Sequence, residues 1–400
     1  MNRQLDMRKE IRGTIDRKIA GFREVEDDQL QALITQEVLD YGKQHYLSIA
    51  EKEELILSIY NSMRRMDILQ PYLEDDTISE IMINGPECIF IEKGGQMERA
   101  PQVFESPETL ENLIHNVVSK VNRAVNETSP IVDARLEDGS RVNVVLPPIA
   151  LQGPVMTIRK FPKTPLTIED LIERESVTRE AAGFLAELVR CRYNVFISGG
   201  TSSGKTTFLN ILSNDIPPQE RIVTIEDSAE LQIHGKENLI SLESRNHNGG
   251  GQQVAIRDLI KTALRLRPDR IIVGEVRGKE ALDMLQAMNT GHEGSLSTGH
   301  ANSCGDILKR LEVMALEAAD IPICSVRQQI GSAIEIIVQL KRHTDGTRRV
   351  MEICEVVGVD REEYVLNPLF VYDHNERRMM RQSQLVNRDK LQVAGSAMVC

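Results

Sequence analysis

Tryptophan is absent from the 400 residues, and aromatic side chains make up only 4% of them. A chain so poor in rings offers no stacking platform for successive bases of a nucleic-acid strand. A basic excess is missing as well. Lys and Arg number 48 against 60 Asp and Glu, and the net charge of −12 argues against whole-protein attraction to nucleic acid or anionic lipid. No apolar run reaches the roughly 18 residues of a membrane-spanning helix. The start, "MNRQLDMRKEIRG", lacks the apolar core of a secretory signal, and Cys400 as last residue forms no prenylation box. The expectation is a cytoplasmic protein whose membrane contact is peripheral and made through partners. The six cysteines form no C-x-x-C pair and no Cys/His cluster at zinc spacing, so reduced, packed thiols are expected.

What is present is enough apolar content, 41%, for ordinary packed cores in two or three domains. Residues 1–68 are proline-free as far as 65, with helix-period stretches such as "EKEELILSIYNSMRRM", and read as a helical arm or small bundle. Residues 1–65 hold no phosphate-handling group, so their removal is expected to leave turnover largely intact while taking away a docking surface. Residues 69–161 read as an α+β domain with short strand-like runs, the helical "PETLENLIHNVVSKVN", and a hairpin "VDARLEDGSRVNVVLPP" turning at Asp138-Gly139. Two prolines in "PKTPLTIEDLI" mark a linker over 162–168. From 169 to 376, strand-like runs alternate with helical ones, which predicts an α/β domain with a parallel sheet covered on both faces. The polar "SRNHNGGGQQ" at 244–253 reads as a loop, "KRHTDGTRRV" as a hairpin turning at Asp345-Gly346, and 377–400 as a tail.

The sharpest motif is "SGGTSSGKTTFLN" at 198–210, after the apolar "YNVFI". It fits G-x-x-x-x-G-K-[ST] between a strand and a helix, which is a P-loop. Backbone N–H groups of Gly199, Gly200, Thr201, Ser202, Ser203 and Gly204 would form an anion nest, with Lys205 as a point charge and Thr206 and Thr207 opening the helix. The implied ligands are ATP and Mg2+, with the Thr206 hydroxyl on the metal.

Three further strand ends carry chemistry. "IVTIEDSAEL" ends its strand at Glu226-Asp227, "RPDRIIVGEVRG" at Glu275, and "GHEGSLSTGHANS" at His300. In a doubly wound sheet the carboxyl ends of the strands converge on the ligand crevice. A carboxylate at such a place can also cap a helix or pair with arginine, but two beside a P-loop suit Mg2+ and an attacking water. Gly274 stands where a metal-binding Asp would usually precede Glu275. Glu275 is therefore expected to reach Mg2+ through water, and Glu226 to act on the attacking water, with Glu275 the alternative for that role. His300 would sense the γ-phosphate, and His292 is left structural. For transition-state charge, Arg141 and Arg159 are arginine-finger candidates, while Arg135 is read as an exposed arginine paired nearby.

Taken in order, "GGTSSGKTT", "TIEDSAEL", "RPDRIIVGEVRG" and "GHEGSLSTGHANS" resemble the Walker A, Asp, Walker B and His boxes of the secretion ATPases of type II and type IV secretion and type IV pili. "DARLEDGSRVNVVLPP" and "MTIRKF" look like the CpaF branch, the tight-adherence (Tad/Flp) pilus ATPases, and the lack of a four-cysteine insert agrees. The resemblance covers about 70–375. It implies a RecA-like ATPase domain after a smaller α+β, PAS-like domain, and a homohexamer docked on inner-membrane platform proteins. It also implies arginines of the N-terminal domain closing over nucleotide. The expected function is an ATP-hydrolysing motor for pilus assembly or export, with no nucleic acid bound. The alternatives are a type IV secretion or conjugation ATPase and a RecA-type nucleic-acid translocase.

Overall fold

The computed structural model describes residues 2–20, 25–121, 124–136, 138–161, 165–245 and 253–396. The prolines and lysine that open the 162–168 linker fall partly outside these, as do Glu137, most of the 244–253 loop and Cys400. The chain forms two compact units, Met1–Lys163 and Thr164–Cys400.

The first unit begins with three helices, α1 (Asn2–Ile19), α2 (Asp27–Gln44) and α3 (Ile49–Arg64). Apolar residues four apart, Met7, Ile11 and Ile15 against Leu30, Ile34 and Val38, meet Leu55 and Ile59 in a small core of their own. Ser48 and Glu51 close a capping box that starts α3. A short α4 (Gln70–Glu74) leads into β1 (Ile78–Asn84), β2 (Ile89–Lys93), β3 (Gln96–Arg99), α5 (Pro107–Lys120), β4 (Ile131–Arg135), β5 (Arg141–Val145) and β6 (Val155–Arg159). The six strands make an antiparallel sheet in the order β3-β2-β1-β6-β5-β4. Alternation sends Val142, Val144, Met156 and Ile158 to the face covered by α5.

The second unit is α/β, as the alternation of elements predicts. It runs α6 (Ile168–Glu173), α7 (Arg179–Arg190), β7 (Val195–Gly199), α8 (Lys205–Ser213), β8 (Ile222–Glu226), β9 (Leu239–Glu243), α9 (Ile256–Ala263), β10 (Arg270–Val276), α10 (Glu280–Asn289), β11 (Leu296–Gly299), α11 (Cys304–Ala318), α12 (Ile323–Ala333), β12 (Ile336–Arg342), β13 (Arg348–Asp360), β14 (Glu363–Asp373), β15 (Arg378–Arg381) and α13 (Asp389–Val393). The sheet order is β15-β14-β13-β12-β7-β11-β10-β8-β9. From β12 to β9 neighbours are parallel, while β12 to β15 form an antiparallel ribbon on one side. Two apolar cores flank the sheet, so β7, β8 and β11 are buried throughout and read as unbroken apolar or small runs. No described helix is long and apolar enough to cross a membrane.

Candidate functional site

The three parallel strands β7, β10 and β11 deliver Gly199, Glu275 and the approach to His300 to one edge, because their registers align Gly299 with Ser198 and with Val276. Between β7 and α8 the backbone curls through Ser202 (φ +57°) to Gly204 (φ +94°), a left-handed position that a side chain would strain. Gly204 caps α8, whose first residues are Lys205, Thr206 and Thr207. The N–H groups that open α8 therefore lack intrahelical acceptors.

Lys205 is 7% exposed. Its Nζ donates to the Gly200 carbonyl at 3.1 Å and stands 3.3 Å from His300 Nδ1. An ammonium only donates, so Nδ1 must be the acceptor and the ring proton belongs on Nε2. That nitrogen lies 2.7 Å from Glu275 Oε1, a close ionic approach not aligned as a hydrogen bond, and Glu275 Oε2 accepts from Arg277 at 2.7 Å. The result is one chain of contacts from the P-loop lysine through imidazole to a carboxylate. Burial lowers the Lys205 pKa, opposed by Glu275. Burial and the Lys205 charge lower that of His300, which keeps the ring neutral and agrees with the tautomer. The Arg277 pKa is raised, chiefly by its bond to Glu275.

Glu226 is buried at the end of β8, and its Oε1 accepts backbone N–H bonds from Glu230 at 2.8 Å and Leu231 at 3.1 Å. Asn210 on α8 accepts the next one, from Gln232, at 2.8 Å. These bonds fasten the loop after β8 to the helix that carries Lys205. The unusual Gly274 has a steric reason. A Cβ there would sit 2.9 Å from Glu226 Cγ, so the space of a Walker B aspartate is filled by Glu226. Buried Ser203 Oγ has no hydrogen-bond partner among the described residues, as befits a cradle for phosphate oxygens.

Two residues of this site were missed as functional candidates. Arg277 sits inside a box that the sequence displays, yet only the geometry gives it a partner. Arg348, first in β13, donates from Nε to the Ser202 carbonyl at 2.9 Å, and its Cδ would lie 3.4 Å from a Cβ on Gly204. Only the Asp345-Gly346 turn three residues earlier hints that it could fold back there. His292 contributes its carbonyl to Ser295 and touches none of these groups.

Arg141 and Arg159 belong to the first unit. Strand register sets Arg135 opposite Arg141 and Arg141 opposite Arg159, three arginines in one row of the face away from α5. The row continues to Glu80 and Glu92. Arg135 donates to the Gly139 carbonyl and lies over the Phe161 ring.

A strand, glycine-rich turn and helix with a buried lysine, set among strand-end Glu and His on a parallel sheet, define an α/β protein of the P-loop class. The chain belongs to the type II/IV secretion system protein family, whose profile matches residues 63–389. It is 36% identical over 296 residues to the conjugal transfer protein TrbB of Rhizobium radiobacter, covering 73% of this chain and 88% of that one. It is 40% identical over 293 residues to an uncharacterized protein of Methanocaldococcus jannaschii, covering 71% of this chain but only 40% of the archaeal protein's length. The fold is shared with the Legionella pneumophila ATPase DotB at a TM-score of 0.53 and 22% identity, over 74% of this chain and 81% of that one.

Proposed function

We propose that the chain binds ATP with Mg2+ at the 199–207 turn and hydrolyses it, as one subunit of a homohexameric motor on the cytoplasmic face of the inner membrane. The observation that carries this reading is the continuous contact Lys205–His300–Glu275 beside the P-loop. Lys205 is held by Gly200 and His300 in the crevice, ready to exchange those partners for β- and γ-oxygens. Neutral His300 would present its Nδ1 side to Lys205 and turn to a γ-phosphate when the lysine moves. Thr206 and Glu275 would hold Mg2+, which when bound neutralises charge on the phosphate oxygens. Glu226, fixed by the 230–231 backbone, is the candidate for orienting the attacking water.

The finger reading of Arg141 and Arg159 rests on the resemblance of the first unit's motifs to those of the secretion ATPases, and the register places the two arginines opposite one another on neighbouring strands. The family match supports a secretion or pilus ATPase, and on this reading the work done is pilus assembly or export through inner-membrane platform proteins. The CpaF-like "DARLEDGSRVNVVLPP" favours a Tad/Flp pilus. The similarity to TrbB favours conjugal or type IV transfer as the second reading.

Purified full-length protein tests the chemistry. Lys205→Ala is expected to lose ATP binding, whereas Glu226→Gln keeps binding and loses turnover by roughly a hundredfold or more. Glu275→Gln is expected to raise the Mg2+ concentration needed. Turnover at the parent rate in Glu226→Gln would pass the water-orienting role to Glu275. Stimulation of ATP turnover by single-stranded DNA, and none by platform-protein liposomes, would replace the export motor with a nucleic-acid translocase.

A further inference from the structure

Fifty residues separate Cys304 from Cys354, and neither belongs to a cysteine motif. The fold brings them together. Cys304 is the first residue of α11, four residues after His300. On β13, alternation places Glu352 and Cys354 on one face, and register sets them opposite Gln339 and Ile337 of β12. The two sulfurs and a Glu352 carboxylate oxygen all lie within 4.8 Å of one another. Both cysteines are 1% exposed, while Glu352 is half-buried and opens the cluster to solvent. An independent observation concerns Gln339, which is 5% exposed. Its Nε2 donates to the carbonyls of Ala301, at 3.3 Å, and Leu340, at 3.2 Å, but its Oε1 is buried without a partner. Register sets Gln339 opposite Glu352, so this unpaired amide oxygen belongs to the sheet face that carries the cluster.

We propose that Cys304, Cys354 and Glu352, with the Gln339 Oε1 as fourth donor, bind a thiophilic divalent cation of the zinc class. Soft sulfur selects zinc over Mg2+, and a mixed set of two sulfurs and two oxygens suits a tetrahedral ion without geometric demands of its own. Bonds of about 2.0–2.3 Å place tetrahedral donors roughly 3.3–3.8 Å apart, so small rotamer changes from the present spacing suffice. The Cys304 thiol pKa is raised well above its usual value by its hydrogen bond with the Cys354 thiol and by burial. On binding, two S–H protons pass to solvent and two S–metal bonds form, with no change of oxidation state. The ion would pin the start of α11, next to His300, to β13, whose Arg348 holds Ser202. It is thus a site separate from the Mg2+ carboxylate Glu275.

The experiment uses the full chain, loaded with zinc, freed of excess by gel filtration and analysed for metal, with Co2+ as a spectroscopic substitute. About one zinc per chain is expected, together with thiolate-to-cobalt charge-transfer absorption. Cys304→Ser and Cys354→Ser are each expected to weaken zinc binding at least about tenfold, the double variant to abolish it, and Cys324→Ser, at an exposed cysteine, to leave it unchanged. Circular dichroism and melting of the metal-free variants check that they fold. Should a serine variant fail to fold, Glu352→Gln, expected to weaken zinc binding less than loss of a thiolate, serves in its place. Parent protein that holds no more zinc than the folded double variant would overturn the proposal and leave two packed thiols. So would a parent in which mass spectrometry finds a Cys304–Cys354 disulfide under the loading conditions.

Discussion

Protonating His300 would set an imidazolium 3.3 Å from the Lys205 ammonium, with Arg277 and Arg310 adding to the repulsion and only Glu275 opposing it. Burial first, and this repulsion second, therefore set its pKa lower in the folded protein than the usual value of about 6.5. Just below that pH the unfolded chain binds the extra proton and the native one does not. Stability must rise as pH climbs through this window and level off above the unfolded value; acidification loses it until the folded pKa is passed. His300→Gln is expected to flatten the slope just below about pH 6.5 in urea unfolding. A phosphate brought to the same ring reverses the sign, because an anion favours the charged form. ATP binding near pH 6 should then draw protons from solvent, seen as a binding heat that depends on the buffer's ionisation enthalpy. An equal proton uptake by His300→Gln would remove His300 from the γ-phosphate.

Strand β10 and strand β8 fit because one gives up a side chain. Register pairs Val273 with Ile225, which brings Gly274 beside Glu226, and the glutamate fills the space. Gly274→Asp, which restores an ordinary Walker B residue, is expected to destabilise the protein by about 1–3 kcal/mol through overpacking. Adding Glu226→Ala should recover part of that loss, a coupling of roughly 0.5–3 kcal/mol in a double-mutant cycle. Strictly additive losses would show that the two positions do not compete for space. The sequence displayed Gly274 but not its cause, since only pairing reveals what lies across from a residue. The P-loop, Glu226, Glu275 and His300 were legible because each ends an apolar strand in a chemically unusual way. Arg348 was not: it meets Ser202 across 146 residues through the β12–β13 turn. The arginine row and the Cys304–Cys354 cluster were hidden for the same reason, and the even scatter of cysteines suggested isolated thiols instead.

Across the whole molecule, the expectation that residues 1–65 could be removed with turnover largely intact meets a buried charge. Arg8 of α1, 6% exposed, pairs with Asp67, equally buried, and lies 3.8 Å from Glu105. Both acids stand beyond the three-helix segment, at the edge of the α+β sheet's core. Apolar contacts alone would let the arm be cut away, because its core of Met7, Ile15, Ile34 and Ile59 is its own. A buried ion pair behaves differently. Removing one partner leaves an uncompensated charge in low dielectric, at about 3–5 kcal/mol. Arg8→Ala is thus expected to cost the first unit roughly that much, because the rest of α1 still covers Asp67. Adding Asp67→Asn should restore part of the loss, since the orphaned charge is then gone. Deletion of 1–65 removes the cover together with the partner and opens Asp67 to water, so Asp67→Asn is expected to change the stability of the deletion little. The check is thermal or urea unfolding of the parent, Arg8→Ala, Arg8→Ala with Asp67→Asn, and the deletion with and without Asp67→Asn, with ATP turnover measured on each folded species. An Arg8→Ala variant as stable as the parent would show that the pair contributes nothing; a destabilised Arg8→Ala that Asp67→Asn does not rescue would place the cost in lost packing rather than in the stranded carboxylate.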